Sequence, residues 1–340
     1  MNLTRKLLFP FAILYGFVSL LRNYLYDTNV FKSKRYAIPI IAVGNLNVGG
    51  TGKTPQIEYL IRLLSSHYKV ATLSRGYKRK SDGFILADKL TNAEVLGDEP
   101  FQFYKKFPTI QVAVDEDRRN GIQKLLAQPK KPEVILLDDA FQHRKVKAGF
   151  YILLTAYDDL FCADYILPVG NLRETRNGAK RADLIIVTKC PSTISEVEQN
   201  KIKKAIGIDL PIYFSFIEYE DHVYNNKNES IPTTDLKSFS KIVLAGIANP
   251  KPFFTYLNAQ PSEILTFSDH HNFNDTDIQN IKDKSKNKYI ITTEKDFVRL
   301  EPKILNSQLF YLPIKSAFFN DQDTFDAIIL NYVGTTRKNS

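Results

Sequence analysis

Residues 43–56 read VGNLNVGGTGKTPQ, and no other stretch restricts the chain as much. Four glycines fall within nine residues of a chain that holds only 15 in 340. Glycine loses the most conformational freedom on folding, so such a cluster implies a backbone that must turn sharply or come close to something. Ahead of it, IPIIAV (38–43) is a short apolar run of strand character; behind it, KTPQIEYLIRLL is apolar at helical spacing. Strand, glycine-rich loop and helix in this order make a phosphate cradle, in which successive N–H groups wrap an anion at the positive end of the helix. The strict pattern G-x-x-x-x-G-K-[ST] asks for glycine at position 47, where this chain has Asn47. The stretch is therefore a variant loop in which Asn47, Val48, Gly49, Gly50, Thr51, Gly52, Lys53 and Thr54 would hold a nucleotide. Lys53 would reach the β- and γ-phosphates, and the Thr54 hydroxyl would hold Mg²⁺. The competing reading is a glycine-rich turn with a purely structural purpose.

The rest of the chain repeats the rhythm. KVATL (69–73), TIQVAV (109–114), EVILLD (133–138), FYILL (150–154) and ADLIIVTK (182–189) are continuous apolar runs, with helical patterns at 54–66 and 117–127. Runs of this kind, alternating with helices, predict a mostly parallel sheet covered on both faces. A polar stretch at 218–235 breaks the rhythm and reads as a junction, partly a hairpin. It resumes in SKIVLAGIANP, SEILTF, KYIITT and QLFYLPI (240–314), which predicts a second, smaller α/β unit. The expected units are an N-terminal helix (1–27), a phosphate-loop core (28–217), a linker (218–235) and a C-terminal α/β domain (236–340).

A phosphate loop wants an acidic partner on a neighbouring strand. PEVILLDD places Asp138 and Asp139 at a strand's carboxyl end, where open parallel sheets bind ligands and where a carboxylate can hold Mg²⁺. A helix N-cap or a turn aspartate is the alternative. GDEP sets Asp98 and Glu99 before an aromatic helix, and alone they read as helix caps. FSDHHNF gathers Asp269, His270 and His271 in a chain with five histidines. An Asp beside a His can accept a hydroxyl proton; a metal pair or plain surface histidines are the other readings. SRGYKRK, DRR, QHR and PVGNLRE add Arg75, Arg119, His143 and Arg173 as candidate phosphate grips, and TTEKD (292–296) reads as a helix cap.

Net charge is +9, which suits anionic partners such as a nucleic acid, an acidic lipid surface or a phosphorylated substrate. Two isolated cysteines, Cys162 and Cys190, make neither a disulfide framework nor a zinc spacing. LLFPFAILYGFVSLL (7–21) is fifteen uncharged residues, too few to cross a bilayer comfortably, and no small-x-small cleavage site follows it. Leu3, Leu7, Phe11, Leu14, Val18, Leu21 and Leu25 form one helical stripe, with cations on either side. A helix lying in a membrane interface and a terminal helix docked on the core both fit, with Pro10 implying a kink or a late start. VTKC (187–190) faintly resembles a guanine-reading motif, but Cys190 and Pro191 stand where x and the aspartate would be. Nothing of helix-turn-helix, RNP or zinc-finger type supports a nucleic-acid partner.

Taken in order, GNLNVGGTGKTP, SRGYKR, GDEP, DDAFQHR, PVGNLRE, GIANP, FSDHHNF and TTEKD resemble one family, the tetraacyldisaccharide 4′-kinases of Gram-negative bacteria. The resemblance spans almost the whole chain, and Asn47 fits it, since this family's loop lacks glycine there. Ala140 departs from the commoner DDGFQH. The resemblance implies a P-loop NTPase-like fold with a membrane-associated N-terminal helix, and ATP with Mg²⁺ as cofactors. It implies transfer of the γ-phosphate to the 4′-hydroxyl of an acylated glucosamine disaccharide 1-phosphate, giving lipid IVA in lipid A biosynthesis, on the cytoplasmic face of the inner membrane. No nucleic acid and no obligate protein partner are implied. Asp98 would be the base with His270 as its partner, and Lys53 and Asp139 would serve the transfer. Thr54, Asp138 and Glu99 would hold Mg²⁺.

Overall fold

The computed structural model describes residues 5, 7–227, 229–269, 271–304 and 308–338. Helix α1 (Phe9–Asp27) comes first, with Pro10 in its first turn, where the missing N–H costs nothing. The glycine-rich loop joins β1 (Ile40–Asn45) to α2 (Lys53–Ser65). β2 (Val70–Ser74), β3 (Ile85–Leu86), α3 (Ala93–Leu96), α4 (Asp98–Lys106), β4 (Gln111–Val114), α5 (Arg118–Leu126), β5 (Val134–Asp138), β6 (Phe150–Ala156), β7 (Leu184–Thr188), α6 (Glu196–Ile206) and β8 (Ile212–Tyr219) continue the alternation. Then follow β9 (His222–Tyr224), β10 (Ser230–Pro232), β11 (Lys241–Ala245), α7 (Lys251–Tyr256), β12 (Ile264–Thr266), α8 (Asp275–Lys284), β13 (Tyr289–Thr293), α9 (Glu294–Leu300), β14 (Leu309–Leu312), β15 (Ile314–Phe318) and α10 (Gln322–Lys338).

Among the described residues these strands form two sheets. The larger has the order β15-β8-β7-β6-β1-β5-β2-β4-β3, parallel except at its two edges. Its central strands are mostly apolar because both faces are covered. Ile41, Val43, Ile152 and Ile186 pack with Ile57, Leu60 and Leu64 of α2. On the other face, Leu153, Ile185 and Val187 meet Ile202 and Ile206 of α6, while Ile40, Ala42 and Leu137 meet Ile122 and Leu125 of α5. The smaller sheet has the order β10-β9-β14-β13-β11-β12, and its parallel centre is likewise covered on both sides.

The expected boundaries change in two places. The stretch 218–235 is no free linker: its first residues end β8, and β9 with β10 forms a hairpin at the edge of the smaller sheet. The expected unit 236–340 is also divided. β15 leaves the smaller sheet and pairs antiparallel with β8 of the larger, and α10 buries Phe325, Ile329 and Val333 in the larger core. Pro313 marks the exit, since a residue without an N–H cannot carry a ladder onward. The chain crosses between the sheets twice at adjacent points, and the Glu220 amide donates to the Pro313 carbonyl at 3.1 Å.

Candidate active site

β1 lies beside β5 with Val43 paired to Asp138, so the glycine-rich loop and the two aspartates emerge side by side at the sheet's carboxyl end. Gly44 is required by packing: a Cβ there would lie 2.7 Å from the Phe141 Cβ and 2.9 Å from its amide nitrogen. Gly52 is required by conformation, with φ of 77° at the residue that opens α2. Asn47 lies outside the residues of positive φ, which is why the loop tolerates a side chain where the strict pattern has glycine. That side chain is buried, and its Nδ2 donates to Asp164 Oδ2 at 3.3 Å.

The loop is braced from outside. The Val48 amide donates to the Asn171 carbonyl at 2.7 Å, and the Thr188 hydroxyl donates to the Thr51 carbonyl at 2.8 Å. Lys189 donates its ammonium to the Gly50 carbonyl. Two buried polar atoms of the loop, Asn47 Oδ1 and Thr51 Oγ1, have no hydrogen-bond partner. Buried polar atoms are nearly always partnered, so a cradle carrying two orphans fits a polar ligand.

Lys53 points back across the loop. Its Nζ lies 3.2 Å from Asn45 Oδ1 and 3.5 Å from Asp139 Oδ1. Arg173 Nη1 lies 3.0 Å from Asp139 on the other side. Burial alone would raise the Asp139 pKa, but Lys53 and Arg173 more than offset it, and the carboxyl sits below its ordinary range. Asp138 behaves oppositely. Burial, then the negative charges of Asp139 and Glu99, push it up to about 6. The Ser74 hydroxyl donates to its carboxylate at 3.3 Å, and Arg118 donates to its carbonyl at 3.0 Å. The chain after β5 enters a turn rather than a helix, with Asp139 itself at φ of 46°. The helix-cap alternative for this pair is therefore set aside, while Asp139 does stand in a turn.

Asp98 and Glu99 occupy the first turn of α4, behind Gly97. Asp98 is ion-paired with Arg299 of α9. Lys295, also on α9, lies 3.7 Å from Glu99 and 3.4 Å from Asp269. Neither cation was singled out in the sequence, although TTEKD does cap α9 as its pattern predicts, through the Thr293 hydroxyl. His270 lies outside the described residues. His271 turns into its own loop, with Asp277 at 2.8 Å and the Ser268 hydroxyl at 3.3 Å. It is a local brace.

Of the four candidate phosphate grips, Arg173 reaches the site through Asp139, and Arg75 is exposed after β2. Arg119 differs from expectation: its guanidinium is held by Asp117 at 2.7 Å, at the start of α5. Its neighbour Arg118 turns inward instead and reaches the end of β5. His143 is partly buried, and burial followed by the Arg118 charge lowers its pKa to about 4. It is therefore neutral at physiological pH and can serve a phosphate only as a hydrogen-bond donor.

The family model for tetraacyldisaccharide-1-P 4′-kinase matches residues 4–334. The tetraacyldisaccharide 4′-kinase of Flavobacterium psychrophilum is 62% identical over 100% of both chains. This chain belongs to the tetraacyldisaccharide 4′-kinase family. The enzyme of the same name from Bacteroides thetaiotaomicron is 44% identical, over 98% of this chain and 95% of that one. A crystal structure of LpxK from Aquifex aeolicus in complex with ATP matches with a TM-score of 0.81 at 31% identity, covering 97% of this chain and 100% of that one. Tetraacyldisaccharide 4′-kinases are phosphotransferases acting on a hydroxyl group, in the 4′-phosphorylation step of lipid A. A P-loop site bordered by Asp138 and Asp139, with the Glu99 charge reaching Asp138, suits that chemistry.

Proposed function

We propose that this chain transfers the γ-phosphate of ATP to the 4′-hydroxyl of a tetraacylated glucosamine disaccharide 1-phosphate, giving lipid IVA, at the cytoplasmic face of the bacterial inner membrane. The observation that carries the reading is the convergence of Lys53, Thr54, Asp138 and Asp139 at the ends of β1 and β5, with the Glu99 charge reaching Asp138. In this mechanism Lys53 and the loop amides grip the phosphates and stabilise charge as it spreads over the transferring group. Asp139 orients Lys53, and Arg173 holds Asp139 in place. Asp98 takes the hydroxyl proton once the substrate separates it from Arg299, with His270 orienting it.

The donor set also fits Mg²⁺. No group of three or more metal-ligating side chains occurs among the described residues, but Mg²⁺ needs only one or two carboxylates beside phosphate oxygens. Thr54, Asp138 and Glu99 offer hard oxygen donors, and the raised pKa of Asp138 marks negative charge still short of cation there. Mg²⁺ bound there would neutralise charge between the β- and γ-phosphates.

The membrane part of the reading rests on α1. No helix among the described residues is long and apolar enough to cross a membrane. One side of α1 docks on the core: Gly16 packs on Ile166, Asn23 Nδ2 donates to Glu174 at 2.8 Å, and the Tyr15 hydroxyl donates to the Arg173 carbonyl at 2.9 Å. The other side carries Phe11, Leu14, Phe17 and Val18, each 56–63% exposed. An apolar helix face in water above a docked underside suits an interface, where an acylated substrate resides. The docked underside matches one sequence reading of α1, and the exposed apolar face supports the other.

The test uses labelled ATP with an acylated disaccharide 1-phosphate acceptor. Label should enter the lipid, and Lys53→Ala should lower kcat by about a hundredfold or more. Phosphate release without labelled lipid would instead make this a nucleotide switch.

A further inference from the structure

Where the two sheets meet, Lys106 Nζ lies 2.7 Å from Glu58 Oε2 and 2.7 Å from Glu294 Oε1. The Glu58 side chain is 1% exposed and that of Glu294 9%. Gln102 Nε2 donates to Glu58 at 2.9 Å, and the Ile314 amide donates to Glu294 at 3.3 Å. Burying charges is expensive even when they are paired, and an apolar trio of similar volume would often serve stability as well. The placement suggests what the ions do instead.

Each member stands on a helix that carries part of the site. Glu58 is one turn beyond Thr54 on α2, and Lys106 closes α4, which Asp98 and Glu99 open. Glu294 begins α9, whose Lys295 and Arg299 pair with Glu99 and Asp98. Ile314 follows the point where the chain crosses back between the sheets. The trio thus ties the phosphate-loop helix, the carboxylate helix and the cation-bearing helix at one spot, beside the double crossing.

We propose that Glu58, Lys106 and Glu294 are positioning residues for phosphoryl transfer, fixing α9 against α2 and α4 so that Asp98 and Glu99 are held in register with Lys53. This rests on the kinase reading above.

With both carboxylates ionised the trio carries one net negative charge. Burial, and then the Glu58 charge, push Glu294 up to about 7, with Lys106 opposing. The groups facing Glu294 are Glu58 from α2, Lys106 from α4, Tyr311 from β14 and the Ile314 amide, while Arg62 and Gln102 stand against Glu58. A proton taken up by Glu294 turns the anionic trio neutral. A network that only packs the interface would leave no trace of that change in turnover.

The experiment measures lipid phosphorylation, ATP binding and thermal unfolding on the full chain in detergent micelles. Glu58→Gln with Lys106→Met and Glu294→Gln together removes every charge and strands no carboxylate. This variant should fold and bind ATP with unchanged Kd, while kcat falls about tenfold or more, as small misplacements near reacting atoms do. Lys106→Arg should keep most of the turnover. Glu294→Gln alone should lose the limb of the kcat–pH profile near neutrality, and it decides the matter if the triple variant does not fold. Wild-type kcat in the folded triple variant, ATP Kd weakening in step with kcat, or an unchanged pH profile in Glu294→Gln would each overturn the proposal. A wild-type chain that labels no lipid fails the kinase reading instead, which keeps the two failures apart.

Discussion

Arg299, on α9 of the smaller sheet, forms an ion pair with Asp98, in the first turn of α4 beside the larger sheet. The two residues are 201 positions apart, so the contact exists only through the angle between the sheets. A guanidinium paired with a carboxylate occupies the side that a substrate hydroxyl would have to reach. Under the proposal that Asp98 is the base, the sugar hydroxyl has to come between the two.

If Asp98 is the base, Asp98→Asn should lower kcat by about 10²–10⁴-fold with ATP affinity unchanged. His270→Ala should cost less, because the carboxylate stays. Residues acting as one unit are non-additive, so the double variant should be little worse than Asp98→Asn alone. Steady-state kinetics on the lipid acceptor read this directly. Near-normal turnover in Asp98→Asn would reduce Asp98 to an anchor for Arg299.

Asp138 should trade stability for function. Its pKa is about 6 in the folded chain against an ordinary 3.8, so the folded state holds its proton more tightly than the unfolded state does. Stability from this group is complete below pH 4 and is lost as pH rises through 6. At 1.36 kcal/mol per unit the loss is about 1–3 kcal/mol, the lower end applying where water in the cleft screens the charge. Asp138→Asn should therefore be more stable than wild type at pH 8 without nucleotide or metal, and inactive as a kinase. Urea unfolding at pH 4 and pH 8 checks it. A variant less stable than wild type at pH 8 would contradict the charge argument.

How much of this was legible depended on the range of the interaction. The phosphate loop, and Asp138 opposite it, could be read from glycine spacing and continuous apolar runs, because adjacent parallel strands bring their carboxyl ends together whatever else the fold does. Arg118 and Arg119 could not be told apart, since neighbours at a helix start point in different directions and only the packed position of α5 decides which one turns inward. Arg299 and Lys295 were invisible as site residues, because nothing local says that α9 faces α4. QLFYLPI (308–314) reads as the last strand, so the separate strand Ile314–Phe318 stays unread; Pro313 alone hints that the chain changes sheets there.

The exposed face of α1 should govern membrane attachment without governing the nucleotide site. Replacing Phe11, Leu14 and Val18 by serine removes apolar surface from the outward side and leaves Gly16, Asn23 and Tyr26 in their docked positions. Co-sedimentation with anionic vesicles should drop sharply and turnover on long-chain acceptor should fall with it, while ATP Kd stays as in the full chain. Retained vesicle binding would assign the attachment to the basic residues, which raised salt then tests.

Helix α10 decides whether the phosphate-loop unit is complete without the chain's last segment. Phe325 is fully buried, stacked on Phe318 with ring centroids 4.6 Å apart and edge-on to Tyr59 of α2 at 5.7 Å. Truncating a buried Phe to Ala costs about 3–5 kcal/mol, through lost transfer energy and the cavity left behind. Phe325→Ala should lower the urea midpoint accordingly, and its effect should reach ATP binding, because α2 starts at Lys53 and rests on this aromatic cluster. A chain ending at residue 313 retains every residue of the loop and both aspartates, yet it loses β15 from the sheet edge and α10 from the core. It should therefore fail to bind ATP, or bind it only where a peptide spanning 314–338 is added back. ATP binding by the truncated chain equal to that of the full one would mean that residues 1–313 fold without the returning segment, which then merely covers a core already formed.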